Sequence, residues 1–246
     1  MAQSKLSVQL YSVREELQDD LLGTLRRIAE IGFTNVEPYD FTAFMGLGSA
    51  LTAAGLCAPT AHMRFIGKDP APIFEAARQL GIGTVIDPHV NEVRWQTVED
   101  IAGIAADFNH AAKVAGEYGL VVGYHNHAME LESVIDGTPA LELFSSLLDE
   151  QIVLELDTYW AAVGGQDPIK LLGRLGKRVT ALHLKDGPAT KDNKDQVAVG
   201  SGTLPIADII NAAPTALRVI ELDDSRGDRF QAVADSFAYL VRENLA

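Results

Sequence analysis

The sequence predicts a single (β/α)8 barrel over residues 1–246, and three observations carry that expectation. Eight short β-rich runs alternate with eight runs of helical period, and each strand–helix unit takes roughly 30 residues. The first strand is followed by Tyr11, Ser12, Val13 and Arg14 rather than by the glycine-rich phosphate turn of a dinucleotide-binding sheet. Alternation implies parallel strands, because a crossover helix must return the chain to the start of the next strand. The eightfold count favours closure over an open, doubly wound sheet. A composition of 47% hydrophobic and 22% charged residues suits a chain with a large buried core.

Strand one is expected at 6–10. The helix after it opens at Asp19 and Asp20, sets Leu21, Leu25 and Ile28 on one face, and stops at Gly32. Strand two is expected at 35–38, then a helix through 44–54 ended by Gly55, then strand three at 57–62, which would bury Cys57 between Leu56 and Ala58. Pro70 and Pro72 open a helix whose apolar face is Ile73, Phe74, Ala77 and Leu80, and strand four is 84–87. A long helix follows, with Ile101, Ile104, Phe108, Ala112 and Ala115 at helical spacing, before Gly119 and strand five at 120–126. Thr138 and Pro139 read as the N-cap and first-turn proline of the next helix, which buries Leu141, Phe144 and Leu148. Strand six is 152–157, Asp167-Pro168 starts another helix, and strand seven is 179–184. The one long irregular segment, 185–202, has the length of a lid or binding loop. A short helix at 205–211, strand eight at 217–222 and an amphipathic helix at 230–240 complete the pattern.

The formal charge of −14 argues against a nucleic-acid or anionic-membrane partner, since affinity for both rests on clustered Lys and Arg. A single cysteine excludes a disulfide within the chain. Residues 1–10 are too short and too polar for a signal peptide, and no apolar run approaches the roughly 18 residues of a membrane span, so a cytoplasmic location is expected.

In a barrel the chemistry sits where strands finish. Five of the six histidines, all but His110, fall at these ends. The ends deliver Gln9 and Tyr11, Glu37, His62, Asp87 and His89, His125 and His127, Glu155 and Asp157, His183 and Lys185, and Glu221 and Asp223. Imidazoles and carboxylates converging on one mouth are the ligand types of a borderline divalent cation. Side chains two apart share a face, so Asp157, His183 and Glu221 form a facial set.

Several segments, in order, resemble the xylose-isomerase-like sugar phosphate isomerase/epimerase barrels: VQLYSVR at 8–14, Val36-Glu37, YHNHAME at 124–130, ELDTYW at 155–160, HLKD at 183–186, and Glu221 ending strand eight. The likeness covers nearly the whole chain. It implies one divalent metal ion, Mn, Mg, Co or Zn, held by a Glu of strand five, Asp157, His183 and Glu221. The strand-five ligand departs from the family pattern: His125-Asn126-His127 stands where many relatives have Glu-Asn-His. Glu130 is the preferred fourth ligand, with a strand-five histidine as the alternative.

The resemblance further implies an isomerase or epimerase that moves a proton beside a carbonyl through a metal-stabilised enediolate. Glu221 is then the first choice for the base, and Glu130 or His127 for its opposite number. Lys185 faces the same cavity and either meets an anionic substrate group, donates a proton, or forms a salt bridge with Asp186, Glu37 or Glu155. His62, His89 and His125 are expected to bind sugar hydroxyls, Glu37 to bind or to orient a histidine, and Tyr11 and Trp160 to wall a sugar face. Arg14, Arg64, Lys68 and Lys185 lie on different loops, which favours a neutral keto sugar, cyclitol or derivative over a sugar phosphate. A lyase of the inosose dehydratase type shares the same proton abstraction, and a sugar-binding barrel or enzyme subunit without turnover is the third alternative. Barrels of this family commonly form homo-oligomers, and no helix face here is apolar enough to predict the number of copies.

Overall fold

The computed structural model describes residues 5–246; the first four residues of the opening stretch, where a signal peptide would begin, lie outside them. The strands are β1 (Leu6–Val8), β2 (Thr60–His62), β3 (Thr84–Asp87), β4 (Val121–His125), the short pair β5 (Val134–Ile135) and β6 (Thr138–Pro139), then β7 (Val153–Asp157), β8 (Val179–Leu184) and β9 (Leu217–Ile220). All but the short pair form one parallel sheet in the order β1-β9-β8-β7-β4-β3-β2, with β1 and β2 at its edges. The expected second strand closes the gap between those edges without becoming regular. Glu37 N donates to Val8 O at 2.8 Å and Leu10 N to Glu37 O at 2.9 Å on one side; Val36 N donates to Cys57 O at 2.9 Å and His62 N to Pro38 O at 2.8 Å on the other. Pro38 has no N–H to give, so the ladder is cut to isolated bridges there. The sheet is closed into the barrel that the alternation predicts.

Alternation also sorts the side chains. Leu154, Leu156, Leu182, Leu184, Ile220 and Leu222 join the hydrophobic core, while Glu155, Asp157, His183, Lys185 and Glu221 take the opposite side of the same strands and are buried there too. An extra residue, the exposed Thr180, shifts the β7–β8 register: Leu154 pairs with Val179 but Glu155 with Ala181, which brings Asp157 opposite His183. Gly123 sits beneath His125 because a Cβ would come within 3.1 Å of the Val153 carbonyl oxygen.

The helix starts follow their caps. Asp20 accepts from Gly23 N at 2.9 Å at the head of Leu21–Ile31, Thr97 caps Val98–Glu117, and Asp167 with Pro168 opens Pro168–Leu175. Three details differ from the sequence reading. Thr138 pairs with Ile135 in the β5–β6 hairpin instead of capping the next helix, which starts at Ala140. Cys57 is exposed, because Leu56 and Ala58 take the buried side of the extended backbone. The expected strand one stops at Val8 and continues as a 3-10 turn, Leu10–Val13, into the short helix Arg14–Asp19, and the short helix Thr158–Val163 follows β7 directly where a loop was expected. Among the described residues no helix is long and apolar enough to cross a membrane.

Candidate metal centre and active site

Asp157 ends β7 and caps the helix Thr158–Val163: its Oδ1 accepts from Trp160 N at 2.8 Å. The cap fixes the carboxylate and leaves Oδ2 facing the barrel mouth, where no hydrogen bond of good geometry reaches it. Opposite, His183 on β8 is held at both nitrogens, Nδ1 at 2.6 Å from Glu221 Oε2 and Nε2 at 2.7 Å from Glu37 Oε1. His125, ending β4, brings Nε2 to 3.7 Å from Asp157 Oδ2. One ligand atom from each of His125, Asp157, His183 and Glu221 lies within 4.8 Å of the other three. Two imidazoles and two carboxylates fit a borderline divalent cation, and the partner within 3 Å of Asp157 Oδ2 is a cation, the Lys185 ammonium.

A deeper set, His62, His125, Glu155 and His183, converges as closely. It closes on itself: Glu155 Oε2 is 2.6 Å from His62 Nε2, 3.0 Å from His183 Nε2 and 3.3 Å from His125 Nδ1. The upper set is the better metal centre because it combines two carboxylates with two imidazoles, and two of its members, His125 and Glu221, line the cavity above it.

The electrostatics divide the imidazoles. Burial alone would strip His183 of its proton, but the charges of Glu155 and Glu221 outweigh it and hold the pKa well above the usual value. Burial and the nearby His183 charge push His125 well below, leaving it neutral. Burial raises Asp157 to about 6 against the pull of Lys185 and His183. For Glu221 the balance goes the other way: burial resists ionisation, yet Lys185 and His183 hold it well below the ordinary carboxylate range.

Lys185 is 1% exposed and does not pair with Asp186, Glu37 or Glu155. Its Nζ lies 2.9 Å from Asp157 Oδ2, 2.7 Å from Glu221 Oε2 and 2.8 Å from Asp223 Oδ1. Asp223 is fixed in turn by Trp160 Nε1 and Gln196 Nε2. Gln196 belongs to the long loop after β8, and Asp186 pins that loop by accepting from the N–H groups of Gly200, Gly202 and Leu204. It is therefore tied down along its length. A Cβ on Gly202 would sit 2.1 Å from Asp186 Oδ1, so only glycine fits.

Above the cluster opens a cavity of about 660 Å³ lined by residues that include Tyr11, His62, His89, His125, His127, Trp160 and Glu221. Arg14 also reaches it, as do Arg64 and Lys68, which share the loop after β2 rather than lying on separate loops. Asp157, His183 and Lys185 lie beneath the cavity, buried. Two further expected site residues, Glu130 and Glu37, reach neither the cavity nor the upper cluster. Glu130 accepts from His127 N at 2.9 Å and from Tyr124 Oη, so both oxygens are engaged away from the cluster, and His125 occupies the fourth position instead. Glu37 lies beneath the cavity, taking Gln9 Nε2 at 2.8 Å, the Thr60 hydroxyl and His183 Nε2; it orients a histidine and touches no open space. Glu155 and Asp223 are site residues to which the sequence gives no role. Their two-residue spacing from Asp157 and Glu221 already brings both to the mouth, but spacing does not say which side chains they meet there.

Residues 25–218 match the xylose isomerase-like TIM barrel family. The chain belongs to this family. Among curated relatives it is 28% identical over 210 residues to an inosose dehydratase of Klebsiella pneumoniae, covering 74% of this chain and 66% of the relative, so it spans just under two thirds of that protein. A solved sugar phosphate isomerase/epimerase from Parabacteroides distasonis superposes with a TM-score of 0.79 at 25% identity, covering 97% of this chain and 94% of that one. The protein IolI, solved with a bound zinc atom, shares the fold with a TM-score of 0.76 at 14% identity, covering 98% of this chain and 99% of its own.

Proposed function

We propose that the chain is a divalent-metal-dependent isomerase or epimerase that moves a proton at the carbon beside the carbonyl of a keto sugar or sugar derivative. The observation that carries this reading is the convergence of His125, Asp157, His183 and Glu221 at and just beneath the floor of a cavity of about 660 Å³. The mixed nitrogen and oxygen set suits Mn, Co or Zn better than Mg, which prefers an octahedral oxygen shell; the zinc of IolI is consistent with this. Such an ion supplies Lewis acidity to the substrate carbonyl. Glu221, kept ionised by its partners, borders the cavity and takes the proton from carbon. His127 borders it too; burial and the Lys185 charge push its pKa down to about 4, so at neutral pH it is a neutral imidazole able to exchange a proton. Tyr11 and Trp160 wall the substrate, and His62 and His89 meet its hydroxyls.

Dehydration is the second reading, favoured by the similarity to inosose dehydratase. It shares the first proton abstraction and then expels a β-hydroxyl. Both are tested by incubating metal-loaded protein with keto sugars and inososes in D2O and following the products by mass spectrometry. Solvent deuterium in a product of otherwise unchanged mass supports the isomerase; loss of water supports the lyase. Metal bound without exchange or turnover on any substrate of these classes would leave a sugar-binding barrel as the better account.

A further inference from the structure

Lys185 is among the largest fully buried side chains of the protein, and it stands inside the donor set rather than beside it. An ammonium offers three N–H groups. Here three carboxylates, Asp157, Glu221 and Asp223, lie within 3 Å of Nζ, and the contact with Asp223 has hydrogen-bond geometry. Two of the three also belong to the upper metal cluster. A divalent ion drawing in Asp157 and Glu221 would meet a positive charge already within 3 Å of the same groups, and like charges that close repel strongly in a buried site. Asp223 is outside that cluster. Trp160 Nε1 and Gln196 Nε2 hold its Oδ2 at 2.9 and 2.8 Å, while Oδ1 remains on Lys185.

Resting on the metal-centre reading, we propose that Lys185 is an internal cation that occupies the Asp157–Glu221 pair in the metal-free protein and yields it to the metal, keeping Asp223 as its anchor. The ammonium stays charged throughout; what changes is which cation the pair binds. Without metal, Lys185 keeps two buried carboxylates from facing each other unpaired. With metal, it is left between Asp223 and the Trp160 ring, whose centroid is 5.9 Å away, at the edge of the cavity. The arrangement weakens metal affinity in exchange for a folded, preassembled empty site.

The test titrates Mn2+ into wild type and Lys185→Met, following binding by calorimetry and electron paramagnetic resonance. Tighter binding by about tenfold or more in Lys185→Met is expected, the direction set by removing a like charge. Equal or weaker binding in the variant overturns the inference and leaves the metal reading intact; no binding of Mn2+, Co2+ or Zn2+ by either protein overturns both. Because Lys185→Met leaves three carboxylates short of a partner, the wild type supplies a second measurement: crystal structures with and without Zn2+. Lys185 Nζ on Asp223 alone beside the bound ion supports the exchange, and Nζ still bonded to Asp157 and Glu221 beside the ion overturns it.

Discussion

The two sides of the barrel mouth are built by different rules. On one side, the adjacent strands β4, β7, β8 and β9 deliver His125, Asp157, His183, Lys185 and Glu221, every one of them buried and held by a charged or capping partner. On the other, the edge formed by β1, residues 35–39 and the β2–β3 loops carries Tyr11, Tyr39, Arg64, Lys68 and His89, partly or wholly exposed. Arg64 and Lys68 have no side-chain ion pair or hydrogen bond among the described residues. The first side is pre-organised in the way that electrostatic catalysis requires. The second has the loose chemistry of recognition. Substitutions on the first side should cost metal, rate and stability together; those on the second should change substrate affinity and little else.

The largest effect is expected from His183→Ala. The imidazolium is shared by Glu37, Glu155 and Glu221, and removing it leaves buried carboxylates without their counter-charge, at a cost of roughly 3–5 kcal/mol. Denaturant unfolding should show that loss, and elemental analysis should show no bound metal. A variant of undiminished stability that still carries a full equivalent of metal would break the division between the two sides. Next in size is a paired test of the strand-five ligand. His125→Ala should lower metal affinity by about 10–100-fold or more, whereas Glu130→Ala should retain the metal with at most a supporting-shell effect at the lower end of that range. The reverse order would return Glu130 to the centre.

That pair marks where sequence stops being legible. Asp157, His183 and Glu221 can be placed together because each lies within one residue of the end of a regular strand, and a period of two fixes their side. Glu130 lies five residues past the end of β4, in a short helical turn beyond the strand's period of two; its direction is set by Tyr124, whose hydroxyl comes from the outer face of β4. The partners of Lys185 escape the sequence for a related reason: spacing shows which cavity a side chain enters but not which of several carboxylates is nearest. In the fold, the strand expected at 35–38 lies in its place yet is broken by its own Pro38. Thr138 resembles a cap because nothing local reveals that Ile135 pairs with it.

A smaller, pH-dependent effect separates Glu130 from the metal question. Burial raises its pKa to about 7, against the hydrogen bonds from Tyr124 and His127 that favour the ionised form. The folded pKa lies above the unfolded value, so the folded state binds the proton more tightly. Its contribution is fully present below about pH 4.5 and is lost as pH rises through about 7, amounting to roughly 3 kcal/mol at most. Glu130→Gln keeps the neutral form at every pH. Between about pH 5.5 and pH 8.5 the melting temperature of wild type should therefore fall more steeply than that of Glu130→Gln. Parallel curves would mean that Glu130 ionises without penalty and that its burial is relieved by water.

The smallest effect is expected on the recognition side, and it sharpens what the substrate is. Arg64 and Lys68 are exposed on the loop after β2 and reach the same cavity as Tyr11 and His89. Exposed charges of this kind contribute about 0.2–1 kcal/mol to an ion pair. For a neutral keto sugar or cyclitol, Arg64→Ala combined with Lys68→Ala should raise KM only about two- to fivefold, with kcat and metal content unchanged. A rise of about a hundredfold or more, suppressed in wild type by added salt, would mean that the two side chains close on an anionic group in the complex. The substrate would then be a sugar acid or phosphate, and substrate binding would give this side of the mouth the same fixed charge pairing that the other side has without it.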